Sequence, residues 1–304
     1  TTMDYLVDGI IELVRSEQHG RVFREVEVQK LRGTLVDQHK YLYTLYGGVF
    51  RHLQPYTPPK QSEAKKFKPI PDLDFAFSFG SPGMDEAFGG IRRGSTFALE
   101  YTEMIPYTAI RMIELTLAIN ALNAGHGVFL LTLPGASMQG VTSLIQPFVL
   151  PQAFSERLAI GTMERKEATK PPFYGIDAES VKKTAASVSD AIEAVRSRSE
   201  GKGVMVIESV GQLEGTFAAS LNTLLEGISA RVSKIQQTSE DGMLLLLQHD
   251  SVLKSRVLAM CRGYATLFIK DRSVVLLGEK PSTEAFVLEH SEENSLIPKL
   301  TRIV

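Results

Sequence analysis

Hydrophobic and polar positions change their period several times along the chain, and the changes predict alternating strands and helices. Residues 95–100 and 243–248 are short, almost wholly apolar runs, as expected of parallel strands covered on both faces. Residues 108–123 and 178–199 carry apolar side chains at helical spacing. Further elements are predicted as strands at 127–133, 157–161 and 203–208, helices at 137–148 and 217–237, and loops at 162–176 and 251–263. This alternation predicts a mostly parallel sheet flanked by helices.

The first fifty residues have a different pattern, which predicts strands at 4–15, 21–31 and 41–46. In the second of these, valines alternate with charged or polar residues, so one face is expected to be buried and the other wet. A turn at 16–20 that ends in glycine predicts a hairpin. Residues 54–72 (QPYTPPKQSEAKKFKPIPD) are rich in proline and lysine, and we interpret them as an extended linker.

Composition adds little to this pattern. The 304 residues predict about two domains, and 43% hydrophobic with 22% charged residues is ordinary for a globular protein. A net charge of −2 exerts no overall attraction on nucleic acid or anionic membranes. The single Cys261, interpreted as a core residue, excludes an internal disulfide. Without an apolar run of about 18 residues or a signal peptide, the protein is expected to be cytoplasmic, with no membrane partner.

The segment between the strand 95–100 and the helix 108–123 has the outline of a phosphate-binding loop. Such a loop has the pattern G-x-x-x-x-G-K-[ST], in which glycines let backbone N–H groups surround the phosphates and a lysine balances their charge. Residues 101–108 (YTEMIPYT) occupy this position, immediately after RRGSTFALE. On the residues alone, an ordinary strand and helix of an unrelated fold is the alternative.

Aligned with that pattern, residues 101–108 lack the glycines and the lysine that bind phosphate. The glycines become Tyr101 and Pro106, the lysine becomes Tyr107, and Thr108 alone matches. Pro106 has no N–H to donate, and Tyr101 has a Cβ where the loop needs unrestricted torsions. Glu103 adds a negative charge where phosphates would bind.

Two further runs resemble a known family. Residues 79–95 (FGSPGMDEAFGGIRRGS) resemble the opening of the KaiC-like branch of the RecA superfamily, which leads directly into its strand and phosphate loop. Residues 204–209 (VMVIES) resemble the family's Walker B strand, with Glu208 in place of its magnesium-associated aspartate. The resemblance implies an α/β, RecA-like P-loop NTPase fold with a C-terminal antiparallel β-hairpin region, preceded by a small β-strand segment.

The resemblance also implies that residues 73–304 form a degenerate module. The family's water-activating acidic pair after the second core strand is missing, because Pro134 and Gly135 follow residues 127–133. We therefore expect no bound nucleotide and no metal in this module. Its vestigial pocket is predicted to contain Thr108, Gln248, Tyr101, Pro106 and Tyr107, together with a vestigial Glu208 that has no intact catalytic partner.

Residues 1–53 resemble the strands that end a KaiC-like module, in the runs DGIIEL (8–13), KLRG (30–33) and YTLYGG (43–48). The resemblance implies that they complete a preceding module of a longer tandem protein. In the alternative, they are donated to a partner subunit. Either way an internal repeat is implied, with 8–15 and 21–31 equivalent to 264–277 and 284–289.

In ring-forming family members, the lysine and arginine of the K-x-R-G run reach the nucleotide of a neighbouring subunit. The resemblance gives Lys30 and Arg32 this role in trans, with ATP and magnesium bound elsewhere in the full-length protein. It also makes further copies, paralogous RecA/KaiC-like subunits or another protein the expected partners. On the residues alone, both side chains are equally well explained as the charged edge of a hairpin.

Two other groups of residues have side chains suited to catalysis or binding. His249 and Asp250 follow the strand 243–248, but neighbouring residues of a strand point to opposite faces, so a catalytic pair is not expected. Lys254, Arg256 and Arg262 lie in the loop 251–263, near where RecA relatives pass DNA. Without interleaved aromatic residues, a solvated or subunit-facing loop is favoured and nucleic acid is not an expected partner.

Three functional hypotheses follow. The first is a non-catalytic, pseudo-ATPase module that acts in the assembly or regulation of a ring or heteromer. The second is a KaiC-family signalling ATPase whose active site lies in a preceding module and is completed in trans by Lys30 and Arg32. The third, a recombination accessory that binds DNA, rests on superfamily analogy alone.

Overall fold

The computed structural model describes residues 7–58, 67–163, 171–199, 201–291 and 296–304. The strands are Gly9–Gln18 (β1), Arg21–Leu31 (β2), Lys40–Thr44 (β3), Arg51–His52 (β4), Ala76–Phe77 (β5), Ile91–Arg92 (β6), Ser95–Tyr101 (β7), Gly127–Leu131 (β8), Leu158–Thr162 (β9), Phe173–Gly175 (β10), Val204–Ser209 (β11), Gly242–Gln248 (β12), Gly263–Lys270 (β13), Ser273–Lys280 (β14), Ser282–His290 (β15) and Pro298–Ile303 (β16). The α-helices are Pro82–Phe88 (α1), Tyr107–Ala124 (α2), Met138–Ile145 (α3), Pro151–Glu156 (α4), Val181–Arg196 (α5), Val210–Thr216 (α6), Leu221–Thr238 (α7) and Lys254–Met260 (α8).

Within the described residues, one large sheet has the strand order β10-β9-β8-β11-β12-β7-β13-β14-β15-β16. Pairing is parallel from β10 to β13 and antiparallel from β13 to β16. The predicted fold class is therefore confirmed: a mostly parallel sheet flanked by helices, with antiparallel strands at its C-terminal end. This arrangement is consistent with a RecA-like fold.

The two faces of the sheet are covered by different helices, because side chains alternate along each strand. In β11, Met205 and Ile207 pack on the face covered by α2 and α3. Val204 and Val206 pack on the opposite face, against the apolar residues of α5 and α7. Helix α2 is buried from Ala109 to Leu122, as expected for a helix that is apolar nearly all round.

Three local predictions need correction. The predicted loop 251–263 contains α8, whose Val257 packs in the core under α7. The predicted loop 162–176 contains the short edge strand β10, while its residues 164–170 lie outside the described residues. The predicted single strand 264–277 is the hairpin β13–β14, because Asp271 and Arg272 both adopt positive φ and form a two-residue turn.

The N-terminal segment forms its own antiparallel sheet with the order β1-β2-β3-β4. Its first hairpin is tighter than predicted, since Gln18 pairs with Arg21 and only His19 and Gly20, both with positive φ, form the turn. The predicted first strand 4–15 starts outside the described residues, which begin at residue 7.

This small sheet packs face to face on the antiparallel end of the large sheet. Its Phe23, Leu42 and Leu53 share one hydrophobic core with residues of β13 to β16. Arg21 Nε also donates to the Thr283 carbonyl oxygen at 2.7 Å, and Arg24 Nε donates to the Val304 carbonyl oxygen at 2.7 Å. The N-terminal strands thus bury their apolar face within this chain.

A buried ion pair lies between the two sheets. Glu25 is 3% exposed, and its Oε1 lies 2.7 Å from Lys270 Nζ. Burial opposes ionisation of this carboxyl, but hydrogen bonds from Lys270 and Ser16 hold the pKa of Glu25 below its usual value. The more distant Lys40 ammonium lies 3.9 Å from the other carboxylate oxygen and is half exposed.

The predicted linker is extended but tied to the large sheet. Tyr56 N donates to the Arg272 carbonyl oxygen at 2.9 Å. At the other end, Asn120 exchanges side-chain hydrogen bonds with the backbone of Ile70, and Asp72 pairs with Arg93 at 2.7 Å. Residues 59–66 lie outside the described residues. In the described part of the chain, none of the helices has the length and apolar character needed to cross a membrane.

We expect Lys270→Met to lower the free energy of unfolding by about 3 kcal/mol, because it leaves the Glu25 carboxylate buried without its main partner. The matched control Lys40→Met removes a half-exposed cation and should cost less than about 1 kcal/mol. Urea unfolding of both variants measures the difference. Equal costs would contradict the assignment of Lys270 as the principal partner.

Candidate functional site

The candidate site lies at the carboxyl edge of the parallel strands, where open α/β sheets bind ligands. Strands β7, β8, β11 and β12 all end there, and α2 begins there after the loop 102–106. Every residue predicted for the vestigial nucleotide pocket belongs to these strand ends or to this loop and helix.

In the loop before α2, two N–H groups bond to backbone carbonyl oxygens. Thr102 N donates to the Leu267 carbonyl oxygen at 3.2 Å, and Ile105 N donates to the Thr102 carbonyl oxygen at 3.1 Å. Ile105 is buried in the core. None of residues 101–108 has positive φ, whereas a phosphate loop depends on glycine torsions to turn its N–H groups inward. The loop is therefore an ordinary turn closed by its own backbone.

The first residues of α2 are engaged by other parts of the chain. Tyr56, from the segment after β4, donates its hydroxyl to Thr108 Oγ1 at 3.0 Å. Tyr107, the first residue of α2, donates its hydroxyl to the Pro134 carbonyl oxygen at 3.0 Å. Pro106 caps the helix without a side-chain hydrogen bond. The hydroxyl of Thr108, predicted from the sequence to belong to the vestigial pocket, thus accepts a hydrogen bond from Tyr56.

Glu208 is held in a buried bidentate ion pair. Its Oε2 lies 3.0 Å from Arg231 Nε and its Oε1 lies 2.5 Å from Arg231 Nη2. Glu208 is 0% exposed and Arg231 is 7% exposed. Arg231 belongs to α7, so this pair lies on the face of the sheet opposite α2 and Thr108. Both oxygens that could orient a metal-bound water are occupied by one guanidinium.

A second buried carboxylate, Glu100, binds three donors at the end of β7. Lys254 Nζ lies 2.5 Å from its Oε1, while the Tyr264 hydroxyl and His249 Nδ1 also contact it. Burial opposes ionisation, but these hydrogen bonds, led by that of Lys254, hold the pKa of Glu100 below its usual value. Through Lys254, this cluster connects the first residue of α8 to the central strand β7.

The Glu100 cluster also fixes one of the basic residues of the predicted loop 251–263. Lys254 turns inward to Glu100, and Arg256 Nη1 donates to Asn222 Oδ1 at 3.2 Å. Arg262 precedes β13 and therefore lies at the amino edge, away from both. The three cations do not form one basic surface.

Helix α2 contains a fully buried acid in its first half. Glu114 is 0% exposed, neither of its oxygens has a hydrogen-bond partner among the described residues, and Arg111 Nε lies 3.6 Å away. Burial raises the pKa of Glu114 to about 7, and the Arg111 charge opposes this only in part. Arg111 also lies over the ring of Tyr107, 5.1 Å from its centroid.

The remaining predicted residues lie apart from one another. Gln248 lies directly opposite Tyr101 in the sheet. Its side chain packs closely against α6, since a Cβ added to Gly211 would lie only 2.9 Å from Gln248 Oε1. Lys30 and Arg32 lie at the end of β2, and Arg32 Nη1 is 3.4 Å from Asp8 Oδ1. Their predicted contact with a neighbour's nucleotide stays a prediction.

Sequence reasoning missed the partners that define this site, namely Tyr56, Arg231, Glu100 and Glu114. A signal for Arg231 was available: it falls seven residues after Leu224, on the apolar stripe of α7, where a charge needs a buried counter-ion. Glu100 and Glu114 are likewise acids within apolar runs. Tyr56 gave no comparable signal, because it lies in a segment without periodicity.

We expect Arg231→Leu to lower the free energy of unfolding by about 3–5 kcal/mol, because Glu208 is left charged and unpaired in the core. The double variant Glu208→Leu/Arg231→Leu should regain most of that loss, since no buried charge remains. Chemical denaturation of the single and double variants tests this. Additive losses in the double variant would contradict a direct pair.

The buried carboxyl of Glu114 is expected to make the free energy of unfolding depend on pH. Its pKa is raised from 4.5 to about 7 on folding, so its favourable contribution is complete below about pH 4.5 and is lost as the pH rises through 7. Relative to Glu114→Gln, the wild-type chain should lose about 3 kcal/mol between pH 5 and pH 8. The exposed Glu226→Gln is the control and should parallel wild type. A Glu114→Gln curve parallel to wild type would refute the assignment.

No protein-family model matches the chain. It is similar to two proteins of Halobacterium salinarum (strain ATCC 700922 / JCM 11081 / NRC-1). Protein GvpD2 is 22% identical over 317 residues, which cover 98% of this chain and 62% of GvpD2. Protein GvpD1 is 27% identical over 133 residues, which cover 42% of this chain and 25% of GvpD1. The chain thus spans less than two thirds of the length of either relative.

Proposed function

We propose that this chain is a non-catalytic, KaiC-like RecA module, a pseudo-ATPase, with a regulatory or assembly role in a larger system. The observation that carries the proposal is the Glu208–Arg231 pair, at 2.5 and 3.0 Å. In this pair, the Arg231 guanidinium contacts both oxygens of the carboxylate proposed to lie at the Walker B position, on the side of the sheet away from α2.

Three requirements of nucleotide hydrolysis support the same conclusion independently. Phosphates need inward-pointing N–H groups, but the loop before α2 bonds to itself and to β13. They also need a balancing cation, and the Tyr107 hydroxyl instead reaches Pro134. A metal needs available oxygens, whereas the Thr108 hydroxyl is capped by Tyr56.

A regulatory role is favoured because the scaffold is intact while the loop lacks the glycines and the lysine that bind phosphate. The large sheet, both helical layers and their cores are complete around the altered loop. A module of this kind contributes through its surfaces, and we propose further RecA/KaiC-like subunits as its partners in the cytoplasm. ATP and magnesium bound elsewhere in a longer protein, with Lys30 and Arg32 acting in trans, remain compatible with this role.

Calorimetric titration of the chain with Mg²⁺ and ATP tests the proposal. We expect no saturable binding at micromolar nucleotide, because the loop lacks the glycines and the lysine of a phosphate loop and the Thr108 hydroxyl already bonds to Tyr56. The variant Tyr101→Gly/Pro106→Gly/Tyr107→Lys restores the loop pattern and should bind triphosphate at least tenfold more tightly than wild type. Micromolar, magnesium-dependent binding by the unaltered chain would refute the proposal.

A further inference from the structure

A cavity of about 680 Å³ lies at the amino edge of the large sheet. Sites for small ligands have volumes of roughly 300–1,000 Å³. The cavity opens where β7 and β13 begin and β14 ends, so it lies at the opposite edge from the loop before α2. Its wall is formed mainly by residues 88–97, which include the end of the run that resembles the KaiC-like family. The proposed pseudo-ATPase role does not account for this cavity.

Tight turns hold the wall of the cavity in place. Gly89 ends α1 in the left-handed conformation, and Gly90 also has positive φ. A Cβ on Gly90 would lie 2.5 Å from the Phe77 carbonyl oxygen, so this close approach requires glycine. Ser95 Oγ donates to the Arg92 carbonyl oxygen at 2.6 Å and closes the next turn. The shape of this wall is therefore set by the backbone.

The apolar part of the lining contains two aromatic rings. Phe88 and Phe97 pack edge to face, with ring centroids 5.4 Å apart. Phe97 also packs against the backbone of Gly263, where an added Cβ would lie 2.2 Å from the ring. Ala76 and Ile91 complete this apolar surface. A planar apolar group suits such a surface, because aromatic rings pack favourably edge to face or with an offset.

Five charged side chains also line the cavity, namely Asp74, Arg92, Arg262, Glu279 and Lys280. All five are exposed, and none of them forms an ion pair or a side-chain hydrogen bond with any residue that the structure describes. The adjacent Arg93, by contrast, pairs with Asp72 at 2.7 Å. Three cations and two carboxylates leave a surplus of one positive charge around the apolar surface.

We propose that this cavity binds a small aromatic monoanion, of the class of aromatic carboxylates and sulfonates. Its ring packs on Phe88 and Phe97, and its anionic group meets the guanidinium groups of Arg92 and Arg262. Guanidinium ions bind such oxyanions through paired N–H donors. The surplus of one positive charge favours a monoanion over a polyphosphate, because the two carboxylates of the lining repel further negative charge.

The proposal does not depend on the state of the nucleotide site, because the cavity and the loop before α2 lie at opposite edges of the sheet. ATP is not expected to compete for the cavity. Conversely, nucleotide bound at the start of α2 would refute the pseudo-ATPase role and leave binding of the aromatic anion unchanged.

Fluorescence titration of the whole chain with the anionic dye anilinonaphthalene sulfonate tests the proposal. The neutral dye phenylnaphthylamine, which has the same rings without the sulfonate, is the matched probe. Wild type should bind the anionic dye saturably with a Kd below about 100 μM. The neutral dye should displace it, because both occupy the apolar surface, whereas ATP should not.

Charge variants separate the contributions of the ring and of the anionic group. Arg92→Glu and Arg262→Glu should each weaken binding of the anionic dye about fivefold or more, while Glu279→Gln should strengthen it about twofold. The affinity for the neutral dye should stay within about twofold of wild type in all three variants. Lys182→Glu, exposed on α5, is the control of equal charge change and should bind both dyes like wild type.

Because each altered side chain is exposed, the melting temperatures of these variants should stay within about 2 °C of wild type. Lost binding is thereby distinguished from lost folding. Binding of the anionic dye that is unchanged in both arginine variants, or that is weakened equally by Lys182→Glu, would overturn the proposal. Displacement of the dye by ATP would overturn it as well.

Discussion

The ion pair between Glu208 and Arg231 constrains the whole candidate site. Two charges removed from water are tolerable only while each satisfies the other, and the bidentate geometry at 2.5 and 3.0 Å does so. Because Arg231 lies on α7, the pair fixes the Glu208 side chain on the face opposite α2. Releasing it toward a metal near Thr108 would leave a guanidinium uncompensated in the core. The pair therefore connects α7 directly to β11.

The N-terminal sheet is connected to the same site through short segments. Its packing on β13–β16 places the chain after β4 beside the turn at Asp271 and Arg272, where Tyr56 N bonds to the Arg272 carbonyl oxygen. This contact holds the Tyr56 ring near α2, and its hydroxyl reaches Thr108. Docking of the small sheet and capping of the helix are thus parts of one arrangement, in which the Glu25–Lys270 pair lies at the sheet interface.

Much of the fold follows from periodicity, and much of the site does not. The predicted helix 108–123 is α2 with one more residue at each end, and the predicted strand 243–248 is β12, because long or wholly apolar runs leave few alternatives. Helix α8 was missed since seven residues give too little of a helical period. The pairing of Glu208 with Arg231 depends on how α7 crosses the sheet, which local pattern does not specify. The bulky residues of the segment 101–108 are visible in the sequence, whereas the contact of Tyr56 with Thr108 required the tertiary structure.

The most direct test of the account is an experimental structure of the chain determined at saturating magnesium and a non-hydrolysable ATP analogue. The account predicts that Glu208 remains paired with Arg231, that Tyr56 remains hydrogen-bonded to Thr108, and that no nucleotide lies at the start of α2. Triphosphate density against Thr108 with a metal ion coordinated by Glu208, and Arg231 displaced from that carboxylate, would contradict it.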